Sequence, residues 1–177
     1  MNVNKAGLEL IQEFESLRLN VYKDAAGLDT IGWGHLLTPE QRSGGMETIT
    51  REEADVLLVK DLFVAERAVE RHIRVPLDAN QFSALVSFTF NLGSGALQRS
   101  TLRHKLNAGD YDEVPDELLR WCYAGGRKLA GLLRRRHAEA TLWEASGQTA
   151  GSTPPPPPAS AIQPWWRGLS NSLSRSL

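Results

Sequence analysis

The sequence has 177 residues, 41% of them apolar and 23% charged, with a formal net charge of −1. Those values fit one soluble globular domain with a short appendage and exclude a dedicated nucleic-acid binder, which would show a strongly basic face. The balance shifts along the chain: residues 1–98 carry nine basic and fourteen acidic side chains, residues 99–177 eleven and seven, so the second half favours an anionic partner.

From Asn4 to Glu15 the apolar residues Leu8, Ile11 and Phe14 recur at helical spacing, with Asn4 as N-cap, which predicts a short amphipathic helix. The runs "LNVYK" and "TIGWGHLL", joined by "DAAGLD", predict a hairpin, and "SGGMETIT" a third short strand. Thr50 with Glu53 forms a capping box that opens a helix through Arg71, with Ala54, Leu57, Leu58, Asp61 and Phe63 along it. Pro76 then breaks the chain. Asp78 with Gln81 repeats the cap ahead of "FSALVSFTFNL", apolar on nearly all sides and therefore the central buried helix, stopped by Gly93. Further helices are predicted over Thr101–Asn107, ended by Gly109, over Asp112–Cys122, and over Lys128–Ala145, ended by Gly147.

Composition then changes. "SGQTAGSTPPPPPASA" reads as an extended, proline-rich tether. The organisation is thus a domain at 1–147, a linker at 148–161 and a tail at 162–177. In the tail Trp166, Leu169, Leu173 and Leu177 fall near helical spacing, with Arg167 and Arg175 and no acids. Trp165 and Trp166 suit a bilayer interface, which offers a contact with envelope lipid. A disordered end or a helix docked on its own domain fits the same residues.

Cys122 is the sole cysteine, so no internal disulfide forms and buried packing is its expected role. His35, His72, His104 and His137 lie too far apart for a local metal motif, and neither a metal nor a cofactor is expected. The N-terminus "MNVNKAGLELIQEFES" lacks the unbroken apolar core of a signal peptide, and no run reaches membrane-spanning length. The expected location is the cytosol until something else opens the membrane.

The segment "EFESLRLNVYKDAAGLDTIGWGHL" gathers Glu15, Asp24, Asp29 and Thr30. Carboxylates beside turn residues are ordinarily solvated decoration. Glu15 differs, because it ends a helix whose negative pole disfavours an ionised carboxyl and keeps the proton that a donor needs. Asp24, at the turn and open to water, stays ionised. Two carboxyls pushed in opposite directions are what glycoside hydrolysis requires on the two sides of the scissile bond. The Thr30 hydroxyl can donate and accept, as holding a water beside Asp24 demands.

Glu15, eight residues, Asp24, five residues and Thr30, followed by "IGWGHLLT", resemble the catalytic stretch of the phage-type lysozymes, the endolysins of glycoside hydrolase family 24. "ALVSFTFNLGSGALQRSTLRHKLNAGDY" and "RWCYAGGRKLAGLLRRRHAEATLW" resemble the helical lobe of the same family, so the likeness covers residues 3–146. It implies an α+β lysozyme-like fold, with a small β subdomain facing a larger helical lobe across a cleft. It implies Glu15 as general acid at the bond between N-acetylmuramic acid and N-acetylglucosamine. Asp24 with Thr30 would then stabilise the oxocarbenium-like transition state and position the attacking water, with inversion at the anomeric carbon.

The likeness further implies that Gly34 and Leu36 line the cleft and that Phe90 and Asn91 form its opposite wall, although Phe90 suits the core equally. Trp33 either stacks on sugar or packs, and His35 is expected in a structural hydrogen bond. Of Arg134, Arg135 and Arg136, which cannot share one direction, one is expected in solvent, and one has the option of turning back toward the cleft. The expected activity is a monomeric muramidase acting on peptidoglycan at host lysis, released from the host cytoplasm to the periplasm and wall by a separate holin-type protein. The rivals are a lytic transglycosylase, whose product is a 1,6-anhydro sugar, a non-catalytic wall-binding module and a membrane-active protein working through its tail.

Overall fold

The computed structural model describes residues 1–24 and 27–145. Two turn residues, the predicted stop at Gly147, the linker and the tail with Trp165 and Trp166 lie outside the described residues. Among those described, no helix is long and apolar enough to cross a membrane.

Helix α1 (Lys5–Phe14) starts where Asn4 Oδ1 accepts the Gly7 N–H at 2.9 Å. Its buried side, Leu10 and Ile11, faces α4 (Ala79–Leu92), whose residues 82–89 are all buried. Two further bonds fasten the pair: the Asn4 N–H donates to Ser83 Oγ at 3.0 Å, and Asn4 Nδ2 donates to Asn80 Oδ1 at 2.7 Å. The approach is close enough that a Cβ on Gly7 would stand 2.5 Å from the Ser83 Cβ. The Asp78 carboxylate caps α4 through the N–H groups of Asn80 and Gln81, as the sequence predicts.

The sheet holds three antiparallel strands in the order β1 (Arg18–Lys23), β2 (Asp29–Gly32) and β3 (His35–Leu36). "TIGWGHLL" is thus two strands. Gly34, at φ 93°, lets the chain reverse after Trp33, so that Thr30 pairs with Leu36 and Ile31 with His35. The segment "SGGMETIT", expected as a third strand, instead meets the outer edge of β1 through a bridge between Asn20 and Thr48 and two backbone bonds, Val21 N–H to the Glu47 carbonyl and Ile49 N–H to the Leu19 carbonyl, both 2.9 Å, beside the irregularity in β1. The third strand of the sheet is β3, on the far side of β2.

After the short α2 (Pro39–Ser43), helix α3 (Arg51–His72) opens at the predicted Thr50–Glu53 box. Ala54, Leu57 and Leu58 are buried on it, while Val56, Val59 and Phe63 are exposed. It joins the two parts of the molecule: Trp33 Nε1 donates to Asp55 near its start, and at its end the His72 carbonyl accepts from Asn107 Nδ2. A single hydrophobic core runs from Ile11 and Ile31 through Leu58 and Leu85 to Trp143.

Beyond α4 and Gly93 come α5 (Ser94–Arg99), which the periodicity did not reveal, and α6 (Thr101–Ala108), capped by Gly109. The helix predicted over Asp112–Cys122 is in fact a 3-10 turn at Tyr111–Glu113 and then α7 (Val114–Leu119), with Pro115 in its first turn. Residues 120–129 leave the helix instead for a hairpin, β4 (Tyr123–Ala124) and β5 (Arg127–Lys128), reversed at Gly125 and Gly126. Cys122 is buried and free. Helix α8 (Ala130–Glu144) packs on α4, α7 and α1. The fold is α+β as expected, a small antiparallel sheet beside a larger set of helices.

Filling the space at Gly7 forces α1 off α4. Gly7→Ala is expected to cost about 1–3 kcal/mol, read as a lower thermal midpoint by circular dichroism. Gly131→Ala, where an added Cβ meets nothing within 4 Å, should leave that midpoint unchanged or slightly raised.

Candidate active site

Glu15 is the residue at which α1 stops. Its backbone is extended, at φ −100° and ψ 121°, and its N–H closes the last helical bond to the Ile11 carbonyl at 3.0 Å. The side chain turns toward α8, where Arg135 Nη1 donates to Oε1 at 2.6 Å. The other oxygen, Oε2, is the atom nearest to Gly34, 3.7 Å from where a Cβ would stand.

A cavity of about 380 Å³ opens at this point, lined on the sheet side by Trp33, Gly34, His35 and Leu36, and on the helical side by Phe90 and Asn91, with Glu15 and Asp61 between them. The structure therefore brings Glu15, Gly34, Leu36, Phe90 and Asn91 together. A neighbouring cavity of about 620 Å³, between the end of α1 and the start of α8, shares Glu15 and Asn91 and adds Leu132, Arg134 and Arg135. Glu15 thus stands where two depressions meet.

Asp24 and Thr30 line neither cavity. They are joined to each other through the backbone of one residue, Leu28: its N–H donates to Asp24 Oδ1 at 2.8 Å, and Thr30 Oγ1 donates to its carbonyl at 3.2 Å. The Asp24 N–H also donates to that carbonyl, at 3.0 Å. Thr30 is buried and paired in register with Leu36 of the cavity wall, and Asp24 is half-buried, with the bond by which it caps its own turn exposed. Asp29 is taken up elsewhere: the Lys23 ammonium, bonded at 2.7 Å, holds its carboxyl below the usual range, and Arg42 lies at 3.4 Å.

The residues with open assignments resolve by their partners. Trp33 packs, because it is 7% exposed and donates Nε1 to Asp55 Oδ1 at 2.7 Å. His35 has Nδ1 on Asp61 at 2.9 Å and Nε2 on Gln41 at 3.1 Å, the structural role expected of it. Phe90 is half-buried, with the cavity on one side and the core on the other. Asn91 accepts from Arg136 at Oδ1 (3.0 Å), which orients the amide and leaves its nitrogen as the end suited to a ligand carbonyl. Arg134 is exposed, Arg135 reaches Glu15, and Arg136 is fully buried.

Three residues here went unread in the sequence. Asp61 was read only as a helix position, and Ser87 and Glu139 not at all. The spacing of Arg135, Arg136 and Glu139, four and three residues apart on one helix, was the available signal for the last.

A family model described as phage lysozyme matches residues 12–139. The chain belongs to the phage lysozyme family and is a lysozyme-type glycoside hydrolase that acts on peptidoglycan. An endolysin of Acyrthosiphon pisum secondary endosymbiont phage 1 is 39% identical over 150 residues, 82% of this chain and 100% of the relative. Among solved structures, an endolysin from Escherichia coli O157:H7 phage FAHEc1 is similar at TM-score 0.71 and 36% identity, over 82% of this chain and 95% of that one. The muramidase domain of SpmX from Asticcacaulis excentricus is similar at TM-score 0.72 and 36% identity, over 80% and 97%.

If Trp33 packs, Trp33→Phe removes one hydrogen bond and little else. Stability should fall by about 1–2 kcal/mol in thermal or urea unfolding, while KM on peptidoglycan stays within twofold.

Proposed function

We propose that this chain is an endolysin that hydrolyses the β-1,4 bond between N-acetylmuramic acid and N-acetylglucosamine, with Glu15 as the proton donor. The observation that carries the reading is the asymmetry of that carboxyl. Arg135 holds Oε1, while Oε2 lies toward Gly34 in the cavity lined by Leu36, Phe90 and Asn91. A proton on Oε2 is presented to the glycosidic oxygen while the guanidinium fixes the group's direction. As the bond breaks, the carboxyl becomes negative beside a cation already in place, and no reorganisation is needed at that moment.

Asp24 and Thr30 act as one unit, tied through the backbone N–H and carbonyl of Leu28. The carboxylate supplies negative charge for the oxocarbenium-like transition state and accepts a proton from water, and the hydroxyl helps orient that water. Attack from the face opposite Glu15 inverts the anomeric carbon. Gly34 and Leu36 border the sugar on one side and Phe90 on the other, and the Asn91 amide nitrogen donates to an N-acetyl carbonyl.

The product acts at the cell wall, and the enzyme waits as a monomer in the host cytoplasm until a separate holin-type protein permeabilises the membrane. We assign residues 1–147 to the hydrolase, 148–161 to a tether and 162–177 to contact with envelope lipid through Trp165 and Trp166, flanked by Arg167 and Arg175 without acids.

Glu15→Gln keeps an acceptor for Arg135 and loses the proton, so turnover of purified murein should fall by about 10³-fold with the thermal midpoint little changed. Wild-type activity in that variant refutes the assignment. Free reducing ends with the inverted anomer by NMR support hydrolysis with inversion, and 1,6-anhydro ends mark a transglycosylase instead. Removal of residues 152–177 should leave turnover of purified murein intact and weaken binding to anionic vesicles.

A further inference from the structure

Behind Glu15 lies a group of charges that the reaction, as described so far, does not use. Arg135 and Arg136 are adjacent on α8 and both are buried, as is Glu139 one turn later. Glu139 Oε1 accepts from Ser87 Oγ at 2.8 Å and from Arg136 Nη2 at 2.9 Å, with Arg135 Nε at 3.4 Å, while Oε2 lies 2.8 Å from Arg136 Nε. The three contacts to Oε1 are hydrogen bonds from donors, while Oε2 and Arg136 Nε form an ion pair without a hydrogen bond. Donors and cations converging on the oxygens favour a carboxylate over a carboxylic acid. Burial pushes the Glu139 carboxyl up, and the two guanidiniums and the Ser87 hydroxyl oppose that push.

The plane of Arg135 is set from three directions. Nη1 donates to Glu15, Nη2 to the Ser87 carbonyl at 3.4 Å, and Nε points to Glu139, with the Phe14 ring 5.8 Å from the guanidinium carbon. Its side chain is 4% exposed, so solvent does little to balance its charge. Two buried cations therefore share one fully buried anion, and Glu15 is the fourth charge, at the edge facing the cavity. A proton donor must spend part of each cycle neutral. In that state Glu139 is the carboxylate left in contact with Arg135.

We propose that Glu139 is a positioning residue for Glu15, acting through Arg135: it holds the guanidinium by Nε and balances the buried positive charge, so that Glu15 can carry its proton beside an arginine. Without it, two uncompensated cations favour the charged form of Glu15 throughout the cycle. The other charged groups bordering Glu15 across the two cavities are Asp61, His35, Glu13 and Arg134. Those facing Glu139 are the two arginines.

The inference rests on Glu15 being the proton donor, and the test separates the two. The alkaline limb of the kcat/KM–pH profile, measured on soluble peptidoglycan strands, is compared among the wild type, Glu139→Gln and Arg136→Gln. Glu139→Gln should move that limb down by about one pH unit and lower kcat at neutral pH about tenfold, with KM changed less than kcat. Arg136→Gln removes a cation from the same group and should move the limb the other way. If Glu139→Gln does not fold alone, the double variant removes one charge of each sign and keeps the fold. Its limb should return toward the wild type while kcat stays about tenfold low, because Arg135 has lost its Nε partner. A limb that stays put in both single variants, or moves in one direction in both, overturns the proposal, and so does a double variant with wild-type kcat. Full activity of Glu15→Gln would instead remove the premise.

Discussion

The contact between Arg135 and Glu15 closes the molecule on itself. The two residues are 120 positions apart, one near the start of α8 and the other at the last turn of α1. Neither helix can bring its side chain to the meeting point alone. Both lie on α4, whose buried face is broad enough to seat α1 on one flank and α8 on another. A guanidinium that is almost wholly buried needs a carboxylate within reach, and an unpaired one would be strongly destabilising. The electrostatics that organise the C-terminal end of α1 are therefore part of what holds the helical lobe in register.

On the far side, the sheet is held by bonds to backbone and to neighbouring carboxylates. Asp24 and Thr30 meet at the backbone of Leu28, and Trp33 and His35 are tied to α3 by Asp55 and Asp61. The turn carrying Gly34 is thereby anchored from behind while its other side borders the cavity. Rigid support of this kind is what a site needs if groups from separate elements are to converge on one bond.

What the sequence made legible was local. Asn4, Thr50 with Glu53, and Asp78 with Gln81 each announce a helix start, and each caps one in the structure, because a cap needs only residues within one turn of each other. The unbroken apolar run of α4 was equally plain. The misreadings came where short range competes with long. "MetGluThrIleThr" (residues 46–50) has strand-type residues, yet the third strand is β3, paired to β2, and the segment meets β1 through one bridge and two backbone bonds. The run after Asp112 looks helical until the double glycine turns it into a hairpin. At the site, Glu15, Asp24 and Thr30 carry a recognisable spacing. Ser87 and Glu139 meet across 52 residues, and nothing local to either marks the encounter.

The turn between Asp24 and Leu28 carries one last implication. Since the backbone of one residue, Leu28, serves both side chains, one through its N–H and the other through its carbonyl, the separation of Asp24 from Thr30 is measured out by the main chain. An inserted or deleted residue would pull the pair apart without altering the chemistry of either.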